Sequence, residues 1–346
     1  MQSKSLKLVE YTSQMVKPTE NDTVYYASKD DVVGYYRVPF ALLTYSDGRT
    51  EKVKNPVTFS GSNITDLVSI VFPEETINID IRSCSALSSV TYTDSVKKLF
   101  IKECASITSV PTIPNNITTL SFNSCSSLGY VEFGSNLSSY STLDSNAFQY
   151  CTSLTQITFP SQIHILGSRS FFSSGIESVI IPATITSING EVFKNCKSLT
   201  SVTISNPVSF GASPNESAFG YCSNLKTVTL NAQKTGRYTF EHCTSLSNLE
   251  LINTKAIGLG SFQYCTSLTE VTLPSSITAL ASTCFFGCRN LKSFIYQSTM
   301  DDWGNVSKGQ NWHSYTINSG SGYNYEIGAT IHCTNGDITL TPGERT

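Results

Sequence analysis

Residues Cys151–Phe159 read CTSLTQITF. The same line returns as CKSLTSVTI from Cys196, CSNLKTVTL from Cys222, CTSLSNLEL from Cys243 and CTSLTEVTL from Cys265. With each Cys taken as position zero, apolar residues follow at plus three, plus six and plus eight. On that register the zero positions are Ile64, Cys84, Cys104, Cys125, Cys151, Ser173, Cys196, Cys222, Cys243, Cys265 and Cys288. Their spacings are 20, 20, 21, 26, 22, 23, 26, 21, 22 and 23 residues. Self-similarity at such a period marks an array of stacked turns, each burying its apolar side on its neighbours.

Residues two apart on a strand share a face. The plus-six and plus-eight residues therefore point inward together, as in Ile157 with Phe159 and Val228 with Leu230. One short strand per turn builds a parallel sheet over a continuous core. Proline often stands at plus nine (Pro73, Pro160, Pro182, Pro274), where its missing N–H ends the ladder. A phenylalanine precedes most later zero positions: Phe148, Phe171, Phe193, Phe219, Phe240, Phe262 and Phe285. It is expected to plug the convex side of the core. The period lies within the range of about 20–29 residues of leucine-rich repeats.

Nine of the zero positions are Cys. Thiols in one column, all pointing one way, have no unique pairing, and Cys buries readily as a small hydrophobe. They are read as buried free thiols. Cys284 and Cys288 lie four apart, but no second pair stands at zinc spacing, so no metal is expected.

The line C-x-S-L-x-x-V-x-L-P with its upstream F-x-x-C resembles the BspA-like leucine-rich repeat of bacterial and protist surface proteins. IYQSTMDDWGNVSKGQNW (295–312) and TIHCTNGDI (330–338) are similar to the terminal unit of such proteins. The resemblance covers about residues 60–340. It implies binding and adhesion without catalysis or cofactor, and names no partner. The expected fold is a leucine-rich repeat solenoid of short parallel β-strands with a mostly irregular or 3-10 convex side, plus a small β-rich N-terminal domain. Residues 1–58 form a β-rich docking or capping region, 59–298 about eleven repeats, and 299–346 a C-terminal cap closed by Trp303, Trp312, Ile331 and Cys333. Asp47-Gly48 marks a two-residue hairpin turn.

Composition narrows the function. Charged residues are 14% of 346 and the net charge is -3, which offers no basic surface for nucleic acid or anionic lipid. No apolar run reaches membrane-spanning length. Four histidines, His164, His242, His313 and His332, fall in separate units, and no hydrolase, P-loop or dinucleotide motif is present. A Cys–His catalytic pair is conceivable, for instance His242-Cys243, but adjacent side chains point apart, and a column Cys packs inward.

Two stripes remain for recognition. The first is the outward plus-five and plus-seven residues of the concave face, among them Tyr130 with Glu132, Gln156 with Thr158, and Glu270 with Thr272. Hydroxyls there either keep an exposed strand soluble or contact a glycan or protein. The second is the residue before each zero position: Tyr150, Phe172, Asn195, Tyr221, His242 and Tyr264. These rings either stack on a ligand, Tyr being common at interfaces, or pack on one another.

The sequence thus predicts a non-enzymatic recognition protein. Its platform is expected to be a phage virion surface (fibre, tail or capsid decoration), because the chain begins at Met1 with no apolar leader. The alternative is a bacterial or protist cell-surface adhesin. The expected partner is a protein or glycan on a cell surface, with residues 1–58 docking to other virion proteins, and with no nucleic acid and no membrane insertion.

Overall fold

The computed structural model describes residues 24–25, 36–37, 40–54, 58–60, 66–210, 217–313 and 328–340. Ile64, the tail 1–22 and the turn 319–324 lie outside the described residues. The chain winds into a solenoid with a front and a back ladder of parallel strands. The front ladder carries the plus-five to plus-nine residues. It comprises Leu67–Val71 and Ser89–Thr91, then Ser178–Ile181, Ser201–Ile204, Thr227–Asn231 and Asn248–Ile252, then Glu270–Leu273, Ser293–Tyr296 and Ala329–Cys333. Partners stay in register, Val202 opposite Val179 and Val228, and alternate residues are buried. The side chains dictate this: β-branched residues alternate with Ser and Thr, the pattern of a half-buried strand.

The opposite side is mostly turn, yet it carries a second parallel ladder. Early turns of 20–21 residues give five-residue back strands, Asn78–Arg82 and Lys98–Lys102. Later turns give two-residue ones, such as Ile165–Leu166 and Ser187–Ile188. The later turns carry two left-handed corners, four residues apart, that bracket F-x-x-C. Asn146 and Tyr150, Glu191 and Asn195, and Tyr238 and His242 all have φ between 54° and 63°. Between the corners, eight phenylalanines from Phe122 to Phe285 stack, with adjacent centroids 5.0–5.7 Å apart and planes within 18°. All eight are fully buried.

The cysteines are free, ten buried and Cys333 half-buried. They are also bonded. Cys151 Sγ donates to Phe122 O at 3.1 Å, Cys222 to Phe193 O at 3.1 Å, Cys243 to Phe219 O at 3.3 Å and Cys265 to Phe240 O at 3.2 Å. Each of these four thiols thus ties its turn to the main chain of the turn before.

The register departs from expectation at one unit. The left-handed corner is Ser173, and the next residue, Ser174, is the buried one. Its N–H bonds Phe171 O at 3.0 Å and its Oγ lies 3.4 Å from Cys196 Sγ. Ser174 therefore holds the Cys column, and Phe172 stands two residues before it, outside the ring stripe. The unit has lost one residue between the column and Ile176. Gly175 absorbs the loss: a Cβ there would sit 2.0 Å from Thr152 O.

The front ladder is also interrupted. No strand forms over 155–159, although CTSLTQITF defined the repeat. Ile157 and Phe159 are half-buried, held by an edge contact of Phe159 on Phe171 at 6.0 Å. The preceding turn, from Cys125, is 26 residues long, and its extra residues wedge the two turns apart.

Antiparallel hairpins close both ends of the front ladder. Phe40–Tyr45 pairs with Thr50–Lys54 and with Leu67–Val71. Its turn has three residues rather than two: Tyr45 N bonds Arg49 O at 2.9 Å and Gly48 takes φ +82°, the arrangement in which a left-handed glycine follows a type I turn. At the other end Ala329–Cys333 pairs with Gly336–Leu340. A one-turn helix, Met300–Gly304, begins at Thr299 with a capping box to Asp302 and buries Trp303 against Tyr296 and Trp312. Trp303, Trp312 and Ile331 are buried and Cys333 is half-buried.

Candidate binding surface

The left-handed corner before each column residue explains the ring stripe. A side chain there points off the edge of the solenoid, and equivalent corners stack at the turn spacing. Tyr221, His242 and Tyr264 form one face-to-face pile, with centroids 4.6 and 4.5 Å apart. Lys194 Nζ covers the outer face of Tyr221 at 5.3 Å. Phe286 meets Tyr264 edge-on at 5.6 Å, and Gly287 lies so close that a Cβ there would be 2.3 Å from the Tyr264 ring. Tyr150 and Phe172 make a separate edge contact at 5.7 Å. Faces in the pile are thus occupied by one another, while edges face solvent, Tyr221 being 42% exposed.

Electrostatics at this edge are built from one buried carboxylate. Glu191 accepts from Arg169 Nε at 2.5 Å and Lys194 Nζ at 3.0 Å. Burial pushes its carboxyl up, but the hydrogen bonds and charges of Lys194 and Arg169 outweigh this and hold its pKa below the ordinary value. His242 is held low, because its ring is desolvated in the pile; the nearby Glu241 opposes this. His242 and Cys243 do not form a catalytic pair. The Cys243 thiol points inward to Phe219 O, and burial holds it well above the usual thiol range, so it is not a thiolate nucleophile.

The front face carries the other expected residues. Its outward rows are hydroxyl-rich and internally bonded: Thr229 Oγ1 donates to Glu250 at 3.0 Å and Ser293 Oγ to Glu270 at 3.0 Å. Glu270 stands alone on this face, several turns from the others. Ile180, not singled out from sequence, is 71% exposed at plus seven. Its signal was there: it is an isoleucine in a row where neighbouring turns place Thr158 and Thr203. The structure brings Tyr130 and Thr158 together across the interruption, in a cleft of about 300 Å³. Gln156 is exposed beside it. The nine candidates therefore fall into a pile, a pair, a cleft and two outlying residues. Among the described residues no group of three His, Cys, Asp or Glu is placed to hold a metal, and no helix is long and apolar enough to cross a membrane.

Comparison with known proteins agrees with this geometry. A family model described as the BspA type leucine-rich repeat region matches residues 55–142, 121–213 and 212–307, in six copies. A leucine-rich repeat protein from Bacteroides ovatus is 21% identical over 82% of this chain and 92% of its own, with a TM-score of 0.58. A leucine-rich cell surface protein from Faecalibacterium prausnitzii is 18% identical over 81% of this chain and 99% of its own, with a TM-score of 0.37. A leucine-rich repeat protein of T. pallidum is 18% identical over 66% and 87%, with a TM-score of 0.32. No curated protein matches.

Proposed function

The chain belongs to the BspA type leucine-rich repeat family, and we propose on that premise that it is a recognition protein that binds a protein or glycan at a cell surface without turning it over. The observation that carries this is the front face: outward rows of hydroxyl side chains, ordered by inter-turn bonds, over a core that buries the column cysteines. Such a face offers many donors and acceptors in fixed positions, which suits contact rather than chemistry. The finer reading is display on a virion, with a bacterial or protist cell as the alternative, and with residues 1–58 docking to other virion proteins in the first case. Immunogold labelling of particles against envelopes separates the two platforms.

The contact face is tested by Thr203→Arg with Thr229→Arg, read as binding of the full chain to bacterial envelopes and host glycoproteins. Binding falls at least about tenfold if the front face makes the contact, since buried unpaired charge at an interface is heavily penalised. Unchanged binding would remove the front face from the reading. Tyr221→Ser with Tyr264→Ser is expected to lower stability and leave binding intact, because the pile covers its own faces.

A further inference from the structure

The two 26-residue turns, from Cys125 and Cys196, each border a cleft toward the following turn. The second is lined by Val208–Phe210, where the described residues stop until 217. The first is fully described. Its walls part because the backbone ties between the turns stop at Ser153 N to Ser126 O, 3.0 Å, and resume at His164 N to Ser141 O, 2.8 Å. Between them the described residues show one bridging contact, Gln162 Nε2 to Ser135 O at 3.4 Å.

Resting on the recognition function above, we propose that this cleft binds a neutral carbohydrate, with Tyr130 as the platform for a sugar ring and Glu132, Thr158 and Gln162 as its hydrogen-bonding groups. Tyr130 is 52% exposed, and among the described residues no ring or cation packs on it. It differs in this from Tyr221, His242 and Tyr264, whose faces are taken. An electron-rich ring face attracts the slightly positive C–H face of a pyranose, as it attracts aromatic edges. The hydroxyls of such a ring need donors and acceptors in several directions. Glu132 is exposed, with one long contact from Thr112 Oγ1 at 3.4 Å; Thr158 adds a hydroxyl and Gln162 an amide, both lining the cleft.

Charge and shape narrow the class. No Lys or Arg lines the cleft, and Glu132 is its one charged group, which disfavours anionic sugars. A volume of about 300 Å³ is at the small end of ligand sites and suits roughly one or two sugar rings. An extended peptide would bind by adding a strand to a regular edge. Here 155–159 and 128–132 form no strand, so no such edge is offered.

The test is saturation-transfer NMR on the full chain with the methyl glycosides of glucose, galactose, mannose and N-acetylglucosamine, and with a Val-Thr hexapeptide. At least one glycoside is expected to receive saturation at its ring C–H protons. Tyr130→Ala weakens that binding about tenfold, Tyr130→Phe retains it, and Glu132→Gln weakens it severalfold; circular dichroism and Tm stay as in the parent. Transfer to no glycoside, transfer that survives Tyr130→Ala, or transfer to the hexapeptide alone overturns the proposal. Envelope binding by the same variants separates this from the broader reading. Loss in Thr203→Arg with Thr229→Arg but no glycoside binding sinks the cleft and leaves recognition standing; loss in neither front-face nor cleft variants sinks both.

Discussion

A cysteine in this chain is a donor before it is a hydrophobe. From Cys125 onward the column thiols point to the main-chain carbonyl three residues before the column in the preceding turn, a bond no apolar residue can make, while Cys84 and Cys104 bond carbonyls of their own turns. Burial pushes most of these thiols up, Cys196 to about 11 and Cys125 and Cys288 to about 12, while a hydrogen bond with Cys104 holds Cys84 below the ordinary thiol value. Ten of the eleven are buried and are expected to resist a thiol reagent in the folded chain for want of access, with only half-buried Cys333 reacting fast, and all to react in guanidinium. Several fast thiols without denaturant would contradict the bonded column. Backbone strain yields a second residue-scale prediction. Thr283 is β-branched yet has φ 55°, a conformation costing an L-residue about 1–2 kcal/mol; the equivalent corner one turn earlier is Gly260, φ 59°. Thr283→Gly is expected to raise stability by about 1 kcal/mol in urea unfolding. Gly175→Ala runs the other way, by about 1–3 kcal/mol, since its Cβ would meet Thr152 O at 2.0 Å.

At the scale of the element, the ring pile is a pH-sensitive strut. The His242 pKa is depressed, chiefly by desolvation between two tyrosines. The unfolded chain then binds the proton more readily than the folded one, so this contribution is full above the ordinary value of 6.5 and is lost as pH falls through the folded value. Glu191, also depressed, contributes fully above 4.5 and is lost below it. Urea midpoints should fall from pH 7 to 5 in the parent and fall less steeply in His242→Phe, the remaining slope coming from His313, which burial lowers to about 4; an unchanged slope would acquit His242. The pile also shows what was legible. Period, inward residues, Phe column and ring stripe are all readable, because each is a side-chain preference repeated at one spacing. The register at Ser174 was misplaced because Ile176, Val179 and Ile181 keep the strand spacing and so conceal a one-residue deletion. The Phe-to-Cys spacing carried the correct answer: Phe171 stands three before Ser174, as Phe193 does before Cys196. The cleft was signalled only by a turn of 26 residues, and a spacing does not say which way a turn will splay. In the later turns the back ladder stayed hidden because two-residue pairings leave no periodicity to read.

For the whole molecule, the interruption sets how the chain unfolds. A solenoid's stability is a sum over turns and their interfaces, so a weak interface separates the sum into blocks. Neither ladder crosses from the early turns to the later ones: the back sheets end at Thr119–Ser121 and restart at Thr142–Leu143, and between Thr91 and Ser178 the front ladder shrinks to one parallel bridge, Ile113 with Phe133. What crosses is the core and a few bonds. Phe122 stacks on Phe148 at 5.7 Å, and Cys151 bonds Phe122 O. Asp144 accepts from Leu120 N and Tyr140 Oη, each at 2.7 Å, standing in for a missing ladder partner, and burial raises its pKa. Both tryptophans, Trp303 and Trp312, sit in the final turns, so their fluorescence reports the C-terminal block while circular dichroism reports all of it. The two probes are expected to give different urea midpoints, a departure from two-state behaviour. Asp144→Ala leaves Leu120 N–H without its partner, weakening the junction by about 1–3 kcal/mol, and should widen the gap between midpoints. Coincident transitions in both the parent and Asp144→Ala would mean that the phenylalanine column alone couples the turns strongly enough to hide the break.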